Sequence, residues 1–596
     1  MVFFRIFVCL CSLLFLASNS HAQRRGVLIK NSPIELFKTL QQSHDTQWFS
    51  SIDESEKYLH DLSWKLYNLG YLSARFNVIQ QSELLTEYEL IAGKKFVLAE
   101  VVLDDALKDW KQDLNIKKNE AMGPDKLAIK CQKVLKELET NGYPFAQIKC
   151  ETLLATDSSV GLNLSLNLGT FYTYDSMRIE GNSKLSKNYL EQYLNVKKGQ
   201  PYNEQNVKQI DLLLDRLLLV KRTKSSEVYF VYNKIVLKIY IDERSTDRFD
   251  GIIGFAPNSN AAANNSLLFT GEINLDLKNI ANRGISFYTG WKSYLARSQQ
   301  LDIKGHVPFV FNTPLFIGAS GQIAKFDSLF LDTRFDLQVG IIKGGNRQWS
   351  IKYGQSASSL LSVDTTFIRS SAKLPANNPY QITRYGAGLQ WNLLDRVSNP
   401  TKGYLLHAEA FIGIRTLLRD NKINQVQFFS GNFPEGISIY DTINKKQTRG
   451  EIFLDQQFYF PIKGNTTLVF RYLGSYLISK NIYFNELYKF GGFSSLRGFD
   501  ERSIFASSFS MINTEFRYII NNESYAGIFV NGAYTENHFK DSPTKFSDFP
   551  FGFGASVQLN TGRSLLQMSY ALGNSANQPL AFKTAKVHFG LINYIR

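Results

Sequence analysis

Glu272-Ile273-Asn274-Leu275-Asp276-Leu277-Lys278 alternates without a break: Ile and Leu take every second position, and Glu, Asn, Asp and Lys take the others. A period of two puts the apolar side chains on one face of an extended chain and the polar ones on the other. The pattern returns downstream. Leu301, Ile303, Gly305 and Val307 alternate with Asp302, Lys304 and His306, and Phe335, Leu337, Val339 and Ile341 alternate with Arg334, Asp336 and Gln338. Segments of this kind fill the chain from about Asp247 to Arg596. Each is about ten residues long, the length of a tilted strand crossing a bilayer.

Sixteen strands are expected, starting near Phe249, Leu267, Ile285, Gln300, Leu315, Leu329, Gln348, Arg384, Tyr404, Ile452, Thr467, Phe509, Tyr525, Phe551, Ser564 and Lys586. Membrane barrels usually have an even count. Past the N-terminus no segment offers 18 consecutive apolar residues. A chain integral to a membrane must then be a closed barrel, in which every backbone group finds a partner. Bulk composition agrees. Of 596 residues 45 are Phe and 30 Tyr, yet mean hydropathy is only -0.19, so apolar and polar residues are interleaved. The net charge of +14 is spread along the chain without a dense cluster or a reader motif. That argues against nucleic acid and points to anionic head groups or substrates.

The N-terminus reads as a secretion signal. Met1 to Arg5 is a short charged start, Ile6 to Ala17 an apolar run, and Ser20-His21-Ala22 a cleavage site, so residues 1–22 are expected to be removed. Cys9 and Cys11 leave with it. Cys131 and Cys150 then fall on a helix and the strand after it in an oxidising compartment, where a disulfide and free thiols are both open.

Between signal and barrel the chain repeats itself. Gly70-Tyr71-x-x-Ala74 and Gly142-Tyr143-x-x-Ala146 each follow an amphipathic helix, 72 residues apart. A third unit, from Phe171 to about Glu243, reads strand, two helices, two strands, with the second helix running to Val220. Modules are therefore expected at 23–96, 97–170 and 171–244, with the barrel at 245–596. No nucleophile elbow, zinc-binding His-Glu-x-x-His or phosphate loop is present, and the seven His are scattered. Neither an enzyme nor a bound metal or cofactor is expected.

Gly181-Asn182 and Gly199 with Tyr202-Asn203 make the third unit similar to a POTRA domain. This is the periplasmic module of the BamA/TamA outer-membrane assembly family. Asp395, Asn399, Pro400 and Gly403 resemble a periplasmic turn of that family, and Leu496-Arg497-Gly498-Phe499 resembles its (Val/Ile/Leu)-Arg-Gly-(Phe/Tyr) loop motif. The resemblance implies α+β POTRA repeats followed by an antiparallel 16-stranded transmembrane barrel in the outer membrane of a Gram-negative cell. It places Arg497, in the sixth outer loop, inside the lumen against a carboxylate. Glu515 is the expected partner. Asn531, standing where the family usually has Asp, is the second.

The resemblance also implies a lateral seam between the first strand, with Gly251 and Gly254, and the last, with Phe589 and Gly590, where the last strand of the family bends. The function implied is insertion of client β-barrel proteins through that seam, with unfolded clients received by the modules and outer-membrane lipid around them. The count of three modules is most like the TamA branch, and implies a possible AsmA-like periplasm-spanning partner and lipid delivery. The alternative is an exporter of one soluble substrate through the lumen, as in two-partner secretion, for which Pro33 to Gln41 could supply a plug helix.

Overall fold

The structure, a computed structural model, describes residues 25–30, 46–121, 123–155, 158–257, 267–295, 297–396, 399–430, 433–493, 495–539, 546–562 and 564–594. The expected signal and the helix at Pro33 to Gln41 lie outside these residues. The chain divides into two compact units, one reaching to Thr173 with Pro201–Glu204, the other Tyr174–Gln200 with Gln205–Arg596.

In the first unit, helix Ile52–Asn68 starts at Ser51, whose hydroxyl accepts the Glu54 N–H. Its buried Leu62 and Leu66 pack on Val27, Ile29 and Leu90. The sheet beneath runs in the order Gln47–Phe49, Arg25–Lys30, Leu85–Ile91, Arg75–Gln81. Helix Pro124–Thr140 repeats the arrangement on a three-stranded sheet ordered Val97–Leu103, Ser159–Asn167, Gln147–Ala155. Its Val134 and Leu138 pack on Leu164 and Leu166. Cys131 is half-buried on this helix and Cys150 exposed on strand Gln147–Ala155; both are free thiols. The structure therefore carries no disulfide between them.

In the third module the sheet order is Thr173–Glu180, Lys234–Glu243, Val220–Val231, with helices Lys187–Tyr193 and Glu204–Arg216. Ile235, Leu237, Ile239 and Ile241 are fully buried. The second helix stops at Arg216, and a strand starts at Val220, where the sequence reading still had helix. Lys221 to Ser226 lack apolar alternation because this strand lies at the sheet edge, with both faces of its first half largely in solvent.

The barrel strands are β1 (Arg248–Pro257), β2 (Leu267–Ile280), β3 (Ile285–Leu295), β4 (Ser298–Val307), β5 (Leu315–Phe326), β6 (Phe330–Lys343), β7 (Arg347–Leu360) and β8 (Tyr380–Asn392). They continue as β9 (Gly403–Leu417), β10 (Lys446–Pro461), β11 (Thr466–Ile478), β12 (Ser508–Ile519), β13 (Tyr525–Asn537), β14 (Phe546–Asp548 and Phe551–Asn560), β15 (Ser564–Asn574) and β16 (Lys586–Tyr594). Each pairs antiparallel with the next, and β16 returns to β1, which closes the barrel. β14 is one strand in two pieces, both on β13, separated by Phe549 and by Pro550, which has no N–H for the ladder.

The barrel is inverted relative to a soluble fold. Ile273, Leu301, Ile303, Phe335, Leu337, Val339 and Ile341 are exposed on its outside, while Asp276, Asp302, Arg384, Arg449, Glu451 and Glu515 are buried within. The third module sits against one end. Tyr189 meets Phe309 edge-on at 5.1 Å, Ser186 N–H donates to the Asn282 carbonyl (2.8 Å), and Arg216 Nε donates to the Leu394 carbonyl (2.6 Å). Arg244 pairs with Glu523 at 3.1 Å. All these partners lie in turns that join an even-numbered strand to the next odd one. Among them is the β8–β9 turn, where the Asp395 carboxylate accepts the Thr401 and Lys402 N–H groups. The long connections lie at the opposite end. Residues 418–430 and 433–445 form a helical turn and a hairpin, and they bury Ile423, Val426, Ile439 and Tyr440 together with Ile368 and Leu374 of the β7–β8 loop and Tyr483 of the β11–β12 loop.

Candidate functional site

The β11–β12 loop does not stay at the rim. Residues 491–493 and 495–500 fold down inside the barrel, and Leu496 and Phe499 join Leu473, Phe490, Phe509, Met511 and Ala533 in a buried cluster. Gly498 makes the descent possible. It holds φ +98°, and a Cβ there would stand 2.7 Å from the Leu572 carbonyl oxygen on β15. Main-chain anchors fix the turn: the Gly498 carbonyl accepts from Gln578 Nε2 (2.9 Å) and the Ser495 carbonyl from Asn513 Nδ2 (3.3 Å).

Arg497 points at the inner wall of β12 and β13. Glu515 and Phe529 are directly opposed residues of these strands, so both face the lumen. The guanidinium lies over the Phe529 ring, 3.4 Å from its centroid, and Nη1 reaches Glu515 Oε1 at 3.4 Å. The tighter partner of Glu515 is Arg517, at 2.8 Å from Nη2, and Ser556 of β14 also donates to the carboxylate. Ser556 reaches across β13 because the residue between is Gly527, whose Cβ would crowd the Phe516 carbonyl at 2.9 Å.

Of the residues singled out by sequence, Leu496, Arg497, Gly498, Phe499 and Glu515 come together here. Asn531 plays a different part from the one expected. It is fully buried, and its Nδ2 donates to the Arg497 carbonyl at 3.2 Å, so it holds the main chain of the motif and not the guanidinium. The aromatic face of Phe529 takes the place of a second carboxylate. Phe529 and Ser556 were not anticipated, and Arg517, which the alternation of β12 puts on the same face as Glu515, was not expected as its tighter partner. The alternation of β13 could have found Phe529, since it occupies a lumen-facing position.

The seam residues gather elsewhere. β1 and β16 are joined by four residue pairs, Arg248↔Tyr594 to Gly251↔Leu591, whereas β1 pairs with β2 through ten and β6 with β7 through fourteen. Among the described residues, Ile252–Pro257 of β1 and Lys586–Gly590 of β16 have no partners across the seam. Gly590 is the first residue of β16 past the last pair, and Gly254 lies three positions beyond Gly251 on β1. The bend expected at Gly590 takes no form of a bulge: the β15–β16 ladder passes through Gln567↔Gly590 without a register shift. Instead the loop touches the unpaired half of β16 from inside, with Lys586 Nζ 2.7 Å from Asp500 and His588 packed on Phe493.

The profile of the Omp85 superfamily domain matches residues 331–591, and that of the POTRA domain, the surface antigen variable number repeat, matches residues 172–244. No curated protein matches the chain. Among solved structures the fold is similar to CdiB from Escherichia coli (12% identity, 91% of this chain and 97% of that chain covered, TM-score 0.51). It is also similar to CdiB from Acinetobacter baumannii (12%, 87% and 91%, 0.50). BamA from Haemophilus ducreyi lacking POTRA domains 1–3 matches with 15% identity over 84% of this chain and 99% of that one, at a TM-score of 0.40. The matched domains follow one another along the chain as module and barrel do in the structure. The chain carries an Omp85 superfamily domain behind a POTRA domain and is an outer-membrane β-barrel protein with periplasmic POTRA modules.

Proposed function

We propose that this protein inserts client β-barrel proteins into the outer membrane through the β1–β16 seam. The observation that carries the reading is the four-pair seam, the shortest ladder between neighbouring strands of the barrel among the described residues. An unpaired strand edge in lipid leaves N–H and C=O groups unsatisfied, and a client strand that pairs with it removes that cost. The edge of β1 beyond Gly251 has the form of a template, and no nucleotide is needed to drive pairing. The modules offer a first station. Strand Val220–Val231 lies at a sheet edge with Tyr229 and Val231 exposed, a surface suited to adding an extended client segment through backbone hydrogen bonds. An AsmA-like partner and lipid delivery belong to the same reading as further proposals.

The test locks the seam. Continuing the register, Ile252 would face Gly590, so Ile252→Cys with Gly590→Cys, in a chain carrying Cys131→Ser and Cys150→Ser, places two thiols at adjoining edges. Folding of a client barrel into vesicles containing the oxidised protein is expected to stop, and to resume on reduction. Insertion that continues with the seam locked, while passage of a soluble polypeptide depends on an open lumen, would replace the insertase with an exporter.

A further inference from the structure

Glu486 lies on the same loop as the arginine motif, ten residues before Leu496, and is fully buried. Each of its oxygens is held by a different arginine. Oε1 accepts from Arg415 Nη1 of β9 at 2.7 Å and also from the Tyr483 N–H at 3.2 Å, and Oε2 accepts from Arg449 Nη1 of β10. The chain of charges continues down the wall. Arg449 Nε donates to Glu451 (2.9 Å), Arg384 of β8 joins Glu451 (3.1 Å) to Asp336 of β6 (2.6 Å), and Arg415 also donates to Gln447 (2.7 Å). One loop carboxylate thus completes a buried ladder of alternating charge built on four strands.

Glu486 also stands between two regions. Above it is the cluster that ties the β7–β8, β9–β10 and β11–β12 loops together, of which Tyr483 is a member. Beside it Asn485 Nδ2 donates to Ser358 Oγ at the end of β7 and to the Asn378 carbonyl, both at 2.8 Å. Below it is a polar cavity of about 690 Å³ inside the barrel, lined by Arg384, Glu451, Arg334, Lys352 and Tyr488. Packing alone does not call for an ion here. A buried carboxylate between two guanidinium groups is stable only while all three stay together, which gives two discrete states instead of gradual loosening.

We propose that Glu486 is the latch of an outer gate. Seated between Arg415 and Arg449 it holds the three loops over the lumen; withdrawn, it frees them and opens the cavity to the cell exterior. The loop then has two anchors with separate tasks: Arg497 seats it on β12 and β13 near the seam, and Glu486 seats it on β9 and β10 over the lumen. The gate concerns the lumen and goes beyond the seam reading, which can fail without affecting it.

The experiment measures ion conductance of the full-length protein in planar lipid bilayers. Wild-type protein is expected to stay mostly closed. Glu486→Gln, which keeps shape and removes the charge, is expected to raise the open fraction about a hundredfold, the scale of losing one partner of a buried ion pair. Ser358→Cys with Asn485→Cys, in the chain carrying Cys131→Ser and Cys150→Ser, ties the loop to β7. Oxidised, this pair is expected to suppress the opening of Glu486→Gln, and reduction to restore it. A folded Glu486→Gln barrel that conducts like wild type, or opening that the disulfide does not suppress, overturns the latch. Should Glu486→Gln fail to fold, Glu486→Asp keeps the charge but is too short to span both arginines. It is expected to open to an intermediate degree, and wild-type conductance in it overturns the proposal equally.

Discussion

Arg497 and Glu515 look like two ends of one ion pair, but the geometry makes their removal unequal. Arg497→Ala deletes a cation held 3.4 Å above the Phe529 ring and a long, 3.4 Å contact to Glu515. A desolvated cation–π contact is worth about 2 kcal/mol and the marginal hydrogen bond about 1, so the cost is about 2–3 kcal/mol. The carboxylate left behind keeps Arg517 at 2.8 Å and the Ser556 hydroxyl. Glu515→Ala instead strands two largely buried guanidinium groups, Arg497 and Arg517, at a cost of about 3–5 kcal/mol. The assay is hydrogen exchange of the segment 488–506 in nanodiscs, read by mass spectrometry, because loop release exposes its backbone amides. At tenfold per 1.4 kcal/mol, Arg497→Ala is expected to speed exchange about 30- to 100-fold and Glu515→Ala about 100- to 4,000-fold. Phe529→Leu is expected to reproduce most of the Arg497→Ala effect. If Arg497→Ala proves as costly as Glu515→Ala, or Phe529→Leu is silent, the division of labour argued from these distances is wrong.

Asn531→Asp is expected to loosen the loop in the same assay, even though it adds a carboxylate near an arginine, because it replaces the donor to the Arg497 carbonyl with a second acceptor. On the third module, the hydrogen bond from Lys224, followed by those from the Tyr229 and Tyr240 hydroxyls, pulls Glu227 from 4.5 down to about 2. A depressed carboxylate stabilises the fold above its ordinary pKa, and that contribution is lost as pH falls from about 4.5 through about 2. An NMR titration is expected to show Glu227 moving towards its ordinary value in Lys224→Met. Both Cys131 and Cys150 are expected to be alkylated without reductant. Cys150 reacts first because it is the more exposed, and both react slowly at neutral pH because burial raises their thiol pKa values; a mass spectrum showing a Cys131–Cys150 bridge would refute this.

How far the chain could be read from its residues depended on whether a position belongs to a period. The strands that alternate cleanly, such as β2, β4 and β6, begin within two residues of where the pattern puts them. β8 and β10 begin earlier than expected, at Tyr380 and Lys446, because their outer ends rise into the loop cluster: there β8 turns its apolar Tyr380 and Ile382 inward, and Lys446 to Glu451 of β10 has no apolar alternation. Glu515 was legible for the same reason that Phe529 should have been: both lie on lumen-facing positions of neighbouring strands. Glu486 was not. It sits in a loop, where no period constrains side-chain direction, and its partners Arg415 and Arg449 are distant in sequence and become neighbours only when β9 pairs with β10. The seam's shortness was likewise out of reach, because Gly251 and Gly254 mark a weak strand without saying where its pairing stops.

The ladders and the loop together decide where this barrel is weakest. Among the described residues each strand pair inside the wall carries eight or more residue pairs, as in β15–β16 with eight and β6–β7 with fourteen, and the seam carries four. At about 1 kcal/mol net for each hydrogen bond, parting the seam costs a fraction of parting any other pair, and more of the missing bonds lie towards the end away from the POTRA module. There the β11–β12 loop braces β16 from within through Asp500 and Lys586. Loosening should therefore begin with the outer half of β1, with β16 staying on β15. Hydrogen exchange is expected to be faster in 252–257 than in 586–590, and Asp500→Asn to narrow that difference by releasing β16. Equal exchange in the two segments, or no response to Asp500→Asn, would mean that the loop does not brace the seam and that its asymmetry has another origin.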